Sequence, residues 1–374
     1  MNNKFFLVIA VPLFAISVVS LALYLVNYQG SDLSNSPKNL ESCKTLVFNG
    51  EGAINLVFFS TEREAKQYSE HLLSVDPFKN QKEKFNIYYI SDYEPKCEIY
   101  KGIALLCYSN DLIKKASSCP NDYILVVKKE DANVRSSSYT NVMSINSVHP
   151  LSVLTHEFGH SFANFAEEYV PAKLPRGTTN CVASCEDFSG EKNGCYEGCS
   201  DAEYKRSIED GVMRTLSTDD YGIFNKNFVQ KRIDEEYSEN VKTITGNVVK
   251  DSRKCEEEKY YAIEGEYNAE NNEVKFLDKN IETGCVGGNG YGSFGINLID
   301  TKGEAMIKDN FNPELIFTDA PADEGIDGET ISGNNKFIIK SPILEDASEI
   351  EIEHYDKKTR IDIKDLGGRA CVIY

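Results

Sequence analysis

The stretch His156-Glu157-Phe158-Gly159-His160 constrains this chain more than any other. Two imidazoles four residues apart on a helix lie on one face, where both can bind a single Zn²⁺ ion. The apolar residues around them recur at spacings near 3.6, which predicts the required helix. Glu157 is placed to act as general base on a zinc-activated water. Because two of the chain's five histidines fall here, we prefer zinc binding to a chance match on a buried helix.

The third ligand of this predicted site is less obvious. A catalytic zinc site needs three protein ligands and one open position. No further histidine follows His160 in the predicted catalytic region, so the third ligand should be a carboxylate. Glu167 and Glu168 are the nearest, but a straight helix would carry them too far from the metal. We therefore expect a bend after His160, with Asn164 as its candidate because asparagine tolerates left-handed backbone.

Length and charge bound the class of protein. At 374 residues the chain is long enough for two domains. Its 41% hydrophobic and 26% charged residues are typical of a globular protein. A formal net charge of −19 argues against a nucleic-acid partner, because phosphates require a basic surface.

The N-terminal segment is almost uninterruptedly apolar from residue 5 to residue 26. This length predicts a transmembrane helix over 5–27, with a cytoplasmic tail at 1–4 and a polar linker at 28–42. Lys4 before the run and Asp32 after it favour an N-inside orientation. A cleaved signal peptide is the alternative. We expect a single-pass protein of the cell membrane, with most of the chain extracytoplasmic.

All eleven cysteines follow the apolar run, which favours disulfide pairing in an oxidising compartment. The number is odd, and pairing within domains would leave Cys255, Cys285 or Cys371 unpaired. Four cysteines form a C-x₃-C, nine-residue, C-x₃-C pattern after the site helix: Cys181, Cys185, Cys195 and Cys199. We predict two disulfides there rather than a structural zinc site. Glu186 and Glu191 in the same loop stay open as alternative third ligands.

The remaining patterns predict the fold class. Strands are expected at 53–59, 84–90 and 123–127, with a weak edge strand near 138–145. A capping box at Thr61 and Glu64 opens a helix between the first two. This pattern indicates an α/β (α+β) catalytic domain at 43–240, in which a mixed sheet packs on the HExxH helix. Short alternating runs predict an all-β sandwich at 243–374, with His354 as a surface residue.

Together these motifs resemble a known family, the IgA-peptidase-type zinc metallopeptidases, which are metzincin-like. Its members have HEFGHSF, then a glycine, then Asp-Glu-Tyr, where this chain has HEFGHSFANFAEEY. Residues 53–90 are similar to the family's opening strand, helix and second strand. Downstream the likeness runs through the cysteine loop to VMRT, so that it covers roughly residues 50–235.

The resemblance implies roles for individual residues. His156 and His160 become metal ligands, Glu157 the catalytic acid and base, and Met213 the residue of a Met-turn below the zinc. Glu167 aligns with the family's aspartate, which makes it the expected third ligand. Ala163 stands where the family has glycine.

The function predicted from the sequence is therefore a membrane-anchored, extracytoplasmic zinc endopeptidase with one catalytic Zn²⁺ and a protein or peptide substrate. The alternative is a surface binding or adhesion protein whose protease-like domain is inactive. The peptidase and the inactive binding protein would both have the two histidines and Glu157, so the third ligand and a test of hydrolysis distinguish the two hypotheses.

Overall fold

A computed structural model describes residues 43–188, 194–245, 255–314, 317–318 and 334–366. The elements up to residue 245, here called the N-terminal part, are β1 (Lys44–Val47), β2 (Ile54–Phe59), α1 (Glu62–Leu72), β3 (Phe85–Ile90), β4 (Glu98–Tyr100), β5 (Ala104–Leu106), α2 (Asn110–Ala116), β6 (Tyr123–Lys128), β7 (Ser137–Tyr139), β8 (Val142–Asn146), α3 (Ser152–Ala163), β9 (Tyr196–Cys199), β10 (Asp201–Arg206) and α4 (Ile223–Thr245). Those from residue 255 onward, the C-terminal part, are β11 (Lys259–Asn268), β12 (Glu273–Thr283), β13 (Phe294–Asp300), β14 (Ala305–Phe311), β15 (Phe317–Thr318), β16 (Asn334–Pro342), β17 (Ala347–His354) and β18 (Lys357–Asp362).

The predicted fold class needs a correction in its transmembrane helix. The described residues form a mixed α/β fold, mostly strands with four α-helices. None of these helices is both long and apolar enough to cross a membrane. The 12 residues of α3 fall short of the required length, and α4 carries charged side chains along its length. This contradicts the predicted anchor and single-pass location; residues 5–27, where the anchor was predicted, lie outside the described part.

The N-terminal part is built on a seven-stranded sheet of order β1-β3-β2-β6-β8-β7-β15. β3, β2, β6 and β8 are parallel, whereas β1, β7 and β15 run antiparallel to their neighbours. Strand β2 shows why the sheet is buried on both faces. Leu56 and Phe58 pack in the core shared with α1, α3 and α4, and the alternate Val57 and Phe59 pack against α2.

Helix α3, which carries the HEFGH stretch, is entirely buried. The rings of Phe158 and Phe162 are stacked on each other, with centroids 5.0 Å apart. Both rings contact Phe78 and Tyr123. Aromatic packing of this kind contributes roughly 0.5–1.5 kcal/mol per pair beyond burial. These contacts hold the helix firmly against the sheet.

Five disulfides link the described cysteines. Cys43–Cys119 and Cys97–Cys107 lie in the first half of the N-terminal part, and Cys255–Cys285 lies in the C-terminal part. The loop after α3 carries the nested pairs Cys181–Cys199 and Cys185–Cys195, which confirms the predicted disulfides. Of the three cysteines considered for the odd thiol, two are thus paired, and Cys371 lies outside the described residues.

The C-terminal part consists of two antiparallel sheets, of order β12-β11-β16 and β14-β13-β17-β18. Inward side chains of both sheets share one hydrophobic core, including Ile263, Leu298 and Ile350. One short strand leaves this arrangement: β15 pairs with β7 and extends the sheet of the N-terminal part. Tyr139 also donates a hydrogen bond to the Lys336 carbonyl, 2.9 Å away.

The prediction of His354 as a surface residue is wrong. Its side chain is 3% exposed, because it follows Ile350 and Ile352 on the inward face of β17 at a period of two. The imidazole stacks on Phe294, with ring centroids 3.4 Å apart. Neither ring nitrogen has a hydrogen-bond partner among the described residues. Burial, with the nearby charges of Arg176 and Lys357, lowers the pKa of His354 to about 3.

This burial predicts an acid-dependent loss of stability. As the pH falls below about 6.5, the pKa of histidine in the unfolded chain, His354 of the unfolded chain becomes protonated. In the folded state His354 stays neutral until the pH nears 3, so acid favours unfolding. Replacing His354 with Phe keeps the ring stacking and removes this linkage. The denaturation midpoint of His354→Phe should fall less than that of wild type between pH 7 and pH 5. Equal slopes for both proteins would contradict the assignment.

Candidate metal centre

Three buried side chains converge at the C-terminal half of α3. His156 and His160 place their Nε2 atoms 3.1 Å apart. The Glu167 oxygens lie 3.4 Å from the Nε2 of His156 and 3.2 Å from that of His160. All three side chains are at most 4% exposed. This group could hold a metal ion, with one ligand atom from each residue.

The separations suit a small tetrahedral ion. Zinc bonds of about 2.0–2.1 Å separate neighbouring ligand atoms by roughly 3.3–3.4 Å. The three distances within the group, 3.1, 3.2 and 3.4 Å, lie close to that tetrahedral edge. Apart from the two imidazoles, neither oxygen of Glu167 has a hydrogen-bond partner among the described residues. A buried carboxylate with so few donors fits a bound cation.

Backbone carbonyls orient both imidazoles. His156 donates its Nδ1 proton to the Val212 carbonyl, 2.8 Å away. His160 does the same to the Phe165 carbonyl at 2.6 Å. Each bond leaves the Nε2 lone pair of its ring directed at the shared centre, which is the arrangement that metal-binding histidines usually have.

The turn that brings Glu167 back lies immediately after α3. The helix ends at Ala163, and Asn164 adopts the left-handed conformation with φ 52° and ψ 36°. The amides of Asn164 and Phe165 then close the helix on the carbonyls of His160 and Gly159, as at many helix C-termini. The bend predicted at Asn164 is therefore present, and it ends the helix.

The segment that follows is held by one buried asparagine. Asn180 accepts a hydrogen bond from the Ala166 amide and donates to the Ala166 carbonyl, both at 2.8 Å. Ser200, next to Cys199, donates to the Glu167 carbonyl at 2.8 Å. The cysteine loop thus holds the backbone on both sides of the third carboxylate.

Glu168 is buried but lies outside the group of possible ligands. Its Oε1 accepts hydrogen bonds from Asn225 and Asn180, at 2.9 and 3.2 Å. Burial raises the pKa of Glu168 to about 7, against the effect of these two amides. Its backbone amide donates to the Met213 carbonyl at 2.8 Å. Glu168 is therefore bonded to the surrounding elements rather than to the imidazoles.

Met213 lies below α3, fully buried. A Cβ atom at Gly159 would lie 2.6 Å from the Met213 Sδ atom, so the thioether packs directly on the glycine. The residue before it, Val212, supplies the carbonyl that orients His156. The turn around Met213 thus packs against α3 at Gly159 and orients His156 through the Val212 carbonyl.

The three side chains of the group shift one another's pKa values. Burial disfavours a charged His156, but Glu167 and, less strongly, Glu157 outweigh this and raise the pKa of His156. For His160, burial and the charge of His156 prevail over Glu167 and lower the pKa. Burial also acts against an ionised Glu167, yet the two imidazoles lower its pKa. The imidazole of His156 and the carboxylate of Glu167 therefore favour each other's charged form inside the buried group.

The structure brings together only some of the site residues that the sequence predicts. His156, His160 and Glu167 come together, whereas Glu186 is exposed in the short turn Cys185–Asp187 and Glu191 lies outside the described residues. The supporting residues Asn180, Asn225 and Ser200 were missed. Isolated asparagines and serines in loops carry no spacing signal.

Comparison with known proteins adds no family. No protein-family model matches the chain, and a search of curated proteins found no match. The likeness to IgA-peptidase-type metallopeptidases therefore stays a hypothesis.

The ligand assignment predicts unequal effects of two neighbouring substitutions. Glu167→Ala should weaken Zn²⁺ binding by more than about 100-fold, beyond the range typical of residues that only orient ligands. Glu168→Ala should weaken Zn²⁺ binding by about tenfold. Glu168→Gln, which can still accept from both asparagines, should bind Zn²⁺ like wild type. Competition with a chromophoric chelator measures all three. The reverse order would move the ligand to Glu168, and no effect of either alanine would remove both from the site.

Proposed function

We propose that this chain is a zinc-dependent endopeptidase. The observation that carries the proposal is the buried group of His156, His160 and Glu167, whose ligand atoms have tetrahedral spacing. The two histidines lie on α3, which also carries Glu157, and Glu167 returns to them after the helix ends. Two neutral imidazoles and one carboxylate form a ligand set used by catalytic zinc in hydrolases. The resemblance to metzincin-like peptidases supports the same conclusion.

The residues supply distinct parts of the chemistry. When bound by His156, His160 and Glu167, Zn²⁺ would polarise the scissile carbonyl and lower the pKa of water. An Oε atom of Glu157 takes the proton from the attacking water and later gives it to the leaving amine. Val212 and Phe165 hold the two imidazole rings through their carbonyls, so the ligands need little reorganisation.

The burial of the site favours an alternative function, that of a binding or adhesion protein without peptidase activity. Glu157 is 0% exposed and His156 only 2%, while a peptide bond must reach Glu157 to be cleaved. A binding or adhesion protein with an inactive protease-like domain would keep these residues in the same positions. Hydrolysis by the purified protein separates the two functions.

The proposal predicts that Glu157→Ala binds Zn²⁺ like wild type but loses hydrolysis by roughly 10²–10⁴-fold, because a general base contributes about that much. Casein and a fluorogenic peptide library serve as substrates, with chelation and Zn²⁺ readdition as a check. Glu186→Ala, which changes an exposed glutamate in the cysteine loop, is the matched control and should keep full activity.

Three results would count against it. Undiminished cleavage by Glu157→Ala would remove this residue as the base. Loss of activity in Glu186→Ala would point to the cysteine loop. A wild-type protein that binds Zn²⁺ tightly yet cleaves no member of the library would favour the binding protein.

A further inference from the structure

We propose that the C-terminal part helps to position the candidate metal centre, and that Asn312 is the positioning residue, which acts on the centre through Asn164. The inference rests on the proposed function only in taking His156, His160 and Glu167 as metal ligands. It assigns to the C-terminal part a role in the geometry of the site.

The first step is the side chain of Asn164, which is 1% exposed. Its Nδ2 donates to the Arg176 carbonyl at 2.8 Å. Its Oδ1 accepts from the Nδ2 of Asn312, 2.7 Å away. Both ends of this amide are therefore occupied by distant segments, and one of them follows β14 in the C-terminal part. These bonds hold a residue whose left-handed backbone is unusual outside glycine.

Asn312 is itself fixed in one orientation. It is 4% exposed, and its Oδ1 accepts from the Glu314 amide at 2.9 Å, so its Nδ2 is the group that faces Asn164. Gly292 leaves the space that this requires: a Cβ there would lie 2.5 Å from the Cβ of Asn312. The backbone around Asn312 is held further by Asn335, which donates to the carbonyls of Pro313 and Glu314.

A second contact ties the same region to the C-terminal part. The guanidinium of Arg176, whose carbonyl binds Asn164, lies over the Tyr355 ring at 3.1 Å from its centroid. Tyr355 follows β17 directly. The C-terminal part thus holds Asn164 directly through Asn312 and indirectly through Arg176.

The consequence for the site follows from the order of the chain. Phe165, the next residue, supplies the carbonyl that orients His160, and Glu167 follows two residues later. A change in the turn at Asn164 therefore moves the acceptor of one ligand and the backbone of another together. Because metal affinity depends on such supporting bonds, loss of the Asn312 contact should weaken metal binding.

The test uses the full chain and one near-isosteric change. Asn312→Asp keeps the oxygen that accepts from the Glu314 amide but replaces the donor to Asn164 with a carboxylate oxygen. We expect about tenfold weaker Zn²⁺ binding, the lower end of the range for residues that orient ligands. The absorption spectrum of the Co²⁺-substituted protein should change with it. Near-ultraviolet circular dichroism of the metal-free variant checks that it folds.

Two further variants make the result specific. Asn289→Asp changes another buried asparagine of the C-terminal part, which bonds to Asp309 and Lys340, and it should leave Zn²⁺ affinity and the Co²⁺ spectrum unchanged. Asn164→Gly removes both side-chain bonds while suiting the left-handed backbone. It should weaken Zn²⁺ binding at least as much as Asn312→Asp, and adding Asn312→Asp to it should have no further effect.

The possible outcomes are distinct. Wild-type affinity in Asn312→Asp, or equal losses in Asn289→Asp, would overturn the positioning role and leave the peptidase proposal standing. An additive loss in the double variant would show that Asn312 acts by another route. If Asn312→Asp does not fold, Asn164→Gly decides: unchanged affinity there overturns the inference. A wild-type protein that binds no Zn²⁺ would refute both proposals, whereas Zn²⁺ binding without hydrolysis would refute only the peptidase.

Discussion

Two histidines on adjacent turns of one helix are too few to hold a metal ion, and the candidate centre depends on how Glu167 reaches them. A helix rises about 1.5 Å per residue, so seven more residues of helix after His160 would place Glu167 about 10 Å further along the axis. The left-handed Asn164 prevents this by ending α3. The chain then returns, and the carboxylate of Glu167 comes within 3.2–3.4 Å of both imidazoles.

A short reversal of this kind has few contacts of its own and must be held from outside. Asn180 pairs with the backbone of Ala166, Ser200 bonds to Glu167, and Asn312 reaches Asn164. Each of these partners is buried, where a hydrogen bond left unmade costs about 1–3 kcal/mol. The site is therefore preorganised by polar contacts, while the aromatic core around Phe158 holds the helix that carries the histidines.

Local sequence patterns were sufficient to predict the helices of the site region but not the hydrogen bonds that hold the site. The helical periodicity around His156 and the capping box at Thr61 are short-range signals, and both elements are present where they were predicted. The carbonyls of Val212 and Phe165 could not be predicted, because every residue has a carbonyl and only the fold selects one. Asn312 has no sequence signal that relates it to Asn164.

The two errors have physical causes as well. The length of the apolar run at residues 5–26 predicts a membrane span, and no helix among the described residues supports such a span. The alternating run that contains His354 predicts a strand but leaves open which face is buried, and the structure places His354 with Ile352 on the inward face of β17. Packing on Phe294 accommodates an uncharged imidazole there.

The pairing of β15 with β7 has a consequence for how the protein can be divided. A protein whose second domain is joined only by a linker can be shortened or recombined at that linker. Here a strand of the C-terminal part completes the edge of the N-terminal sheet, and removing it would leave the backbone donors and acceptors of β7 open to unwanted strand partners. A fragment ending near residue 242 would therefore lack β15 and have an incomplete sheet. The two parts are therefore better described as one structural unit than as separable domains.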